Sequence, residues 1–333
     1  MHPSFHRSSV GPCACIAAIG RCSSIVLAIG LFVPASWAQS TAPTGRQLAP
    51  GVLTVIPPDL EPHDTVSTHD VVEVRAQSGL KWNPEYLAAS DTLFEKASAV
   101  KFRREIWGLE FAFKPLRMID VDVPQPGGTT QRKRVWYLVY RVRNTGQSLA
   151  PTEGEGGVYT ASPGQGEPRR FIPHFVIEAH DRDASGERLS KAYLDRVVPA
   201  AVRAISRRER IGRPLLNSVQ MAEQPIPASK GRIDRGVWGV ATWIDIDPRI
   251  DFLAVYVGGL TNAYRWHDTP GAYQAGDPPG RGRRFARKTL QLNFWRPGDE
   301  LMESEREIRY GVPPGNSDLY GVADGVAHQW VYR

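Results

Sequence analysis

Cysteine is almost missing from this chain. Of 333 residues only Cys13, Cys15 and Cys22 carry a thiol, all at the amino-terminal end. If the first 38 residues are removed on export, the mature chain is expected to be cysteine-free. That would exclude a disulfide scaffold, a cysteine-ligated metal centre and a cysteine nucleophile. Long apolar runs are missing too: the longest, Ile25–Val33, has nine residues, whereas a spanning helix needs about 20. No transmembrane helix is expected in the mature chain. There is no Gly-x-Ser-x-Gly elbow, no phosphate-binding loop, no complete dinucleotide fingerprint and no His-Glu-x-x-His, so no cofactor is expected. Lysine is scarce, with eight against 33 arginines, so arginine-rich runs carry less meaning here than elsewhere.

What is present begins with a leader. Arg7 and Arg21 precede the apolar run and no acid accompanies them; Ser36 and Ala38 then stand three and one before a cut after Ala38. This is the layout of a secretory signal peptide and predicts a secreted, periplasmic or cell-surface protein. The whole chain carries 41 Lys+Arg against 35 Asp+Glu, a formal +6. Without the leader's two arginines the balance is 39 − 35 = +4. So mild an excess argues against a dedicated nucleic-acid binder.

Three regions follow from composition: 1–38 as the signal, 39–80 as an extended, Pro/Thr/Gly-rich arm or linker, and 81–333 as a folded domain, with a possible division into two sub-sheets near 212–235. Helical spacing is expected over Ser90–Val100 and Pro199–Arg210. Elsewhere the apolar period is two. Strands are expected at Ile106–Phe113, Val135–Arg143, Phe171–His180, Val237–Trp243, Phe252–Val257, Lys288–Trp295 and Glu305–Val312. In Ile106–Phe113, Trp107, Leu109, Phe111 and Phe113 share a face. In Lys288–Trp295, Leu290, Leu292 and Phe294 point inward and Thr289, Gln291 and Asn293 outward. Pro173 suggests that the third strand lies at an edge. Seven strands separated by Gly/Pro/Asp turns, with one or two short helices, predict a mainly β protein, a β-sandwich with its tryptophans in the core.

Candidate chemistry is thin. His174, Glu178 and His180, followed by Asp181 and Asp183, offer zinc-ligand or acid–base types along one strand face. His174 and His180 are nevertheless about 20 Å apart along a straight strand, and an ordinary polar sheet face reads the same way. Asp245, Asp247 and Asp251 resemble a calcium turn, but Pro248 and the missing glycine and glutamate fit an Asp-Pro hairpin turn as well. Arg281, Arg283, Arg284, Arg287 and Lys288 form a basic run suited to an anionic polymer, or simply a solvated loop entering a strand. Glu153, Glu155, Glu303, Glu305 and Glu307 supply carboxylates for glycoside hydrolysis without any spacing that pairs them.

At the level of whole phrases, Phe102–Pro115, Val135–Gly146, Tyr193–Pro199, Val237–Phe252, Gly259–Trp266 and Leu290–Glu300 resemble those of an exported β-rich family from planctomycete-type bacteria with no established activity. The resemblance spans about residues 80–333. It implies export and a bacterial source, and no site residue. Separately, Tyr140–Gly146 is similar to a strand ending of bacterial immunoglobulin-like domains, which supports the sandwich by analogy. The expectation is a non-catalytic structural or binding β-sandwich of the cell envelope, whose partner is an envelope protein or an anionic polymer. The alternatives are an envelope-polymer hydrolase using His174–Asp183 and a polyanion-binding surface protein using Arg281–Lys288.

Overall fold

A computed structural model describes residues 51–68, 101–183, 185–189, 191–229, 233–272, 281–297 and 308–333. These are mainly β-strand with few short helices. Twelve strands make the two larger sheets. In chain order they are β1 (Thr54–Ile56), β2 (Glu110–Phe113), β3 (Arg117–Pro124), β4 (Thr130–Arg143), β5 (His174–Ala179) and β6 (Ala192–Leu194). There follow β7 (Val237–Ile244), β8 (Phe252–Gly258), β9 (Tyr264–Asp268), β10 (Arg283–Trp295), β11 (Arg309–Tyr310) and β12 (His328–Tyr332). The helices are α1 (Pro199–Glu209), α2 (Ser218–Glu223) and α3 (Ser317–Tyr320). The first sheet runs β1-β2-β4-β7, with β3 also pairing β4. The second runs β6-β5-β8-β10-β9, with β11 and β12 also pairing β10. All these pairings are antiparallel.

The alternating pattern explains where the core sits. Trp136, Leu138, Tyr140 and Val142 of β4 and Phe175 and Ile177 of β5 all point to one apolar cluster, to which β7, β8 and β10 add Trp243, Val255 and Leu292. Each of these side chains is at most 1% exposed, and burying one of that size contributes about 1.5–3 kcal/mol. Rings from the two sheets touch: Phe175 lies 4.9 Å from Tyr140 and 6.3 Å from both Phe111 and Trp243, and Phe113 lies 6.2 Å from Phe294.

The other face of β4 is covered as well. Val135, Tyr137 and Val139 pack with Ala201 and Ile205 of α1. Proline at the first turn of α1 costs no hydrogen bond there. Glu209, the last residue of α1, is buried; it accepts from Lys114 Nζ, from Arg117 Nη1 at 2.7 Å and from the Tyr137 hydroxyl at 2.8 Å. Burial pushes the Glu209 carboxyl up, but the Lys114 and Tyr137 hydrogen bonds and the two cations outweigh it and hold it below its ordinary value.

Several strands depart from the sequence pattern for identifiable reasons. Ile106–Phe113 is not one strand. Ile106–Trp107 pairs with the segment Ser148–Glu153 in a small separate sheet, while β2 enters the first sheet. The break comes at Gly108, where a Cβ would stand 2.5 Å from Pro58 Cβ, and the next amide bonds the Leu260 carbonyl at 2.8 Å. Pro173 does not put β5 at the edge; β5 begins just after it and has β6 and β8 on its two sides. Thr289, Gln291 and Asn293 point away from the core as expected yet are buried. The carboxy-terminal segment lies over them: Gln291 Nε2 donates to the Tyr320 carbonyl at 3.0 Å and Asn293 Nδ2 to the Val326 carbonyl at 3.2 Å. Of Glu305–Val312, Arg309–Tyr310 is strand and 305–307 lie outside the described residues, as does the helix expected over 90–100.

The expectation of a cysteine-free mature chain is corrected. The 333-residue chain contains Cys13, Cys15 and Cys22, and the expectation depended on removing the segment that carries them. The exclusions of disulfide and thiol chemistry that rested on it fall with it. Among the described residues no helix is long and apolar enough to cross a membrane.

Candidate functional site

The first candidate group comes apart in three dimensions. His174 opens β5, exposed, paired with Gly258. Glu178 accepts from Arg333 Nη2 at 2.8 Å. His180, just beyond the strand, is 3% exposed, and its ring lies 5.2 Å from that of Tyr320. Asp181 Oδ1 accepts the amides of Asp251 at 2.9 Å and Phe252 at 3.3 Å, and burial raises its pKa. Asp183 caps its own turn, accepting from the Ser185 and Glu187 amides. The two imidazoles therefore occupy different environments, one wet and one dry.

The aspartates after β7 each have a cation of their own. Asp245 is exposed and pairs with Lys133 at 2.8 Å. Asp247 takes the Arg249 guanidinium at 2.9 Å and Lys191 Nζ at 2.6 Å, and these hydrogen bonds hold its carboxyl well below the usual range. Asp251 meets Arg296 Nη2 at 3.4 Å. Asp181, Asp247 and Asp251 share an open cleft of about 390 Å³ with Arg182, Lys191 and Arg249, so the charges lining it pair largely with one another. Glu153 is exposed, 3.8 Å from Arg103, and residues 303–307 lie outside the described residues.

One cluster escapes a sequence reading. Glu61, His63 and Asp64 place ligand atoms within 4.8 Å of one another, in a segment whose prolines read as a linker. The site is already supplied with cations. Arg265 reaches Glu61 at 2.8 Å and Asp64 at 3.3 Å, Lys288 reaches Glu61 at 2.6 Å, and the Tyr332 hydroxyl donates to Asp64. Burial raises the Glu61 carboxyl, but the bond to Lys288 and the charges of Lys288 and Arg265 bring it below its usual value. This arrangement ties the 58–65 segment to β9, β10 and β12. The one sequence signal is three acids in six residues, Asp59, Glu61 and Asp64.

The basic run is divided by strand parity. β9 and the first five residues of β10 form a hairpin in which Tyr264 faces Arg287, Trp266 faces Phe285 and Asp268 faces Arg283. Lys288 is 1% exposed and held by Asp59 and Glu61 at 2.9 and 2.6 Å; it is an internal charge. Arg283 is bound by Asp268 at 2.9 Å and lies 3.7 Å from the Trp266 ring centroid. Arg281 precedes the strand, exposed. Arg284 and Arg287 are exposed with no ion pair among the described residues. Between them Phe285 is 50% exposed.

No family model, curated protein or solved structure matches the chain. Its function has to be argued from these side chains. Most of the described carboxylates that suggested metal or acid–base chemistry are engaged by neighbouring cations or backbone amides, whereas the hairpin presents cations and an aromatic ring to solvent. A second hollow of about 540 Å³, between Pro58–Leu60 and Gly146–Leu149, offers mostly apolar and backbone surface.

Proposed function

We propose that this protein is an exported, non-catalytic binding protein of the bacterial cell envelope, built as an immunoglobulin-like β-sandwich, and that it engages an anionic polymer through the β9–β10 hairpin. The sandwich reading is supported by the single apolar cluster to which both sheets contribute and by the ring contacts between them. Export is supported by the basic, apolar, small-residue order of the first 38 residues.

The observation that carries the binding reading is the pair Arg284 and Arg287. They stand exposed beside a half-exposed Phe285, with no ion pair among the described residues. An exposed guanidinium attracts carboxylate, sulfate or phosphate, and the attraction is screened by salt. The test is binding of the full chain to dextran sulfate and polygalacturonate across a salt series. Affinity is expected to fall with rising salt, and the double variant Arg284→Glu/Arg287→Glu to bind at least about tenfold more weakly, a loss of about 1.4 kcal/mol. Salt-independent binding, or a double variant equal to the parent, would sink the proposal.

A further inference from the structure

Arg284 and Arg287 are not equivalent, and the difference points to a ligand class. Resting on the anionic-polymer reading above, we infer that the front face of the β9–β10 hairpin is a subsite for an acidic polysaccharide: one sugar ring stacks on Phe285 while its carboxylate, or that of the adjoining sugar, pairs with Arg287.

Strand parity decides which side chains act together. Residues 283, 285 and 287 share a face with their cross-strand partners 268, 266 and 264, while 284 and 286 share the opposite face with 267 and 265. Arg287 is therefore about 7 Å along the strand from Phe285 on its own side, and Arg284 is on the far side opposite His267. The platform beneath Phe285 is built and braced. The Tyr264 ring meets the Phe285 ring edge-on at 5.7 Å. Arg104 lies 3.7 Å over Tyr264 and is fixed by bonds of 2.9 Å to the carbonyls of Asp64 and Tyr264. On the neighbouring pair, Asp268 holds Arg283 over Trp266. Tyr264 and Trp266 thus already carry a guanidinium on one face each, and Phe285 is the ring left half open. An apolar ring of this kind offers little to a polyphosphate or an acidic peptide. It suits the C–H face of a pyranose, and the exposed Arg287 guanidinium beside it supplies the site for a sugar carboxylate.

The experiment compares four probes on the full chain: polygalacturonate, its methyl-esterified form, inorganic polyphosphate and poly-L-glutamate. Polygalacturonate is expected to bind most tightly, and esterification to abolish binding. Phe285→Ala is expected to weaken polygalacturonate binding about fivefold or more and to leave polyphosphate and polyglutamate unchanged, with Phe285→Tyr restoring most of the loss. Arg287→Ala is expected to cost about threefold or more and Arg284→Ala much less, although both remove one charge. Phe285, Arg284 and Arg287 are exposed, and equal melting temperatures establish that the variants fold. Equal losses in Arg284→Ala and Arg287→Ala, equal losses for all polyanions in Phe285→Ala, or tighter binding of polyphosphate would overturn the sugar subsite and leave the anionic-polymer reading standing. Failure of every polyanion to bind would overturn both.

Discussion

Lowering the pH should destabilise this protein through one histidine before its carboxylates matter. His180 is 3% exposed, its ring tilted against Tyr320 at 5.2 Å and Tyr256 at 6.4 Å, and among the described residues neither ring nitrogen completes a hydrogen bond of ordinary geometry. Burial lowers its pKa from 6.5 to about 4. Glu178 and the Leu319 carbonyl favour the proton, but burial together with Arg188 and Arg333 outweighs them. Between those two values the unfolded chain binds a proton that the folded chain refuses, so stability rises with pH through the window. The contribution is complete above about pH 6.5 and is lost as pH falls towards 4. A shift from 6.5 to about 4 amounts to about 2 kcal/mol lost by pH 5 and about 3 kcal/mol by pH 4, relative to pH 7.5. The assay is urea unfolding at a series of pH values, parent against His180→Phe, which fills the same aromatic slot without titrating. Carboxylates present in both chains cancel in the difference. The variant's stability relative to the parent should climb by about 2 kcal/mol from pH 7.5 to pH 5. A difference that stays flat across that range would show that His180 is protonated in the folded protein, and the reasoning from burial would be wrong.

Two further substitutions test the packing. Glu209→Gln leaves Lys114 and Arg117 half-buried without their counter-charge and should cost about 3 kcal/mol in urea unfolding; a cost below about 1 kcal/mol would mean that water already shields the network. Gly239→Ala sets a methyl 2.4 Å from Tyr140 Cζ and 2.7 Å from Met221 Cε, so it should destabilise by about 1–3 kcal/mol through overpacking. An unchanged melting temperature would show that the strand pair has room to shift.

Much of the fold is legible in alternation. β4, β7, β8 and the second half of β10 could be read from residues such as Trp136, Trp243, Val255 and Leu292 because every second side chain had to be apolar to meet a core. Alternation fails where contacts are made by distant segments. Nothing near Gly108 in sequence announces that Pro58 will press on it. Nothing in the polar pattern of Gln291 and Asn293 says that the carboxy-terminal segment will bury them. Charge is harder still. Composition shows Lys288 and Arg287 as neighbours in one basic run, but whether a cation is free depends on which acids fold against it. Asp59 and Glu61 come from more than 200 residues away to neutralise Lys288, while Arg287 has no such partner among the described residues. The same rule dissolves the histidine and aspartate candidates. His174 and His180 are separated by the length of β5, and Asp245, Asp247 and Asp251 each acquire a different cation.

In the proposed mode of binding the hairpin, and not the charge of the chain as a whole, holds an anionic polymer. The direct measurement is the salt dependence of polygalacturonate binding for the parent and for Arg287→Glu. A steep fall in the parent that becomes shallower in the variant, with affinity at low salt reduced about fivefold or more, is expected. Parallel salt curves with equal affinity for the two chains would contradict it.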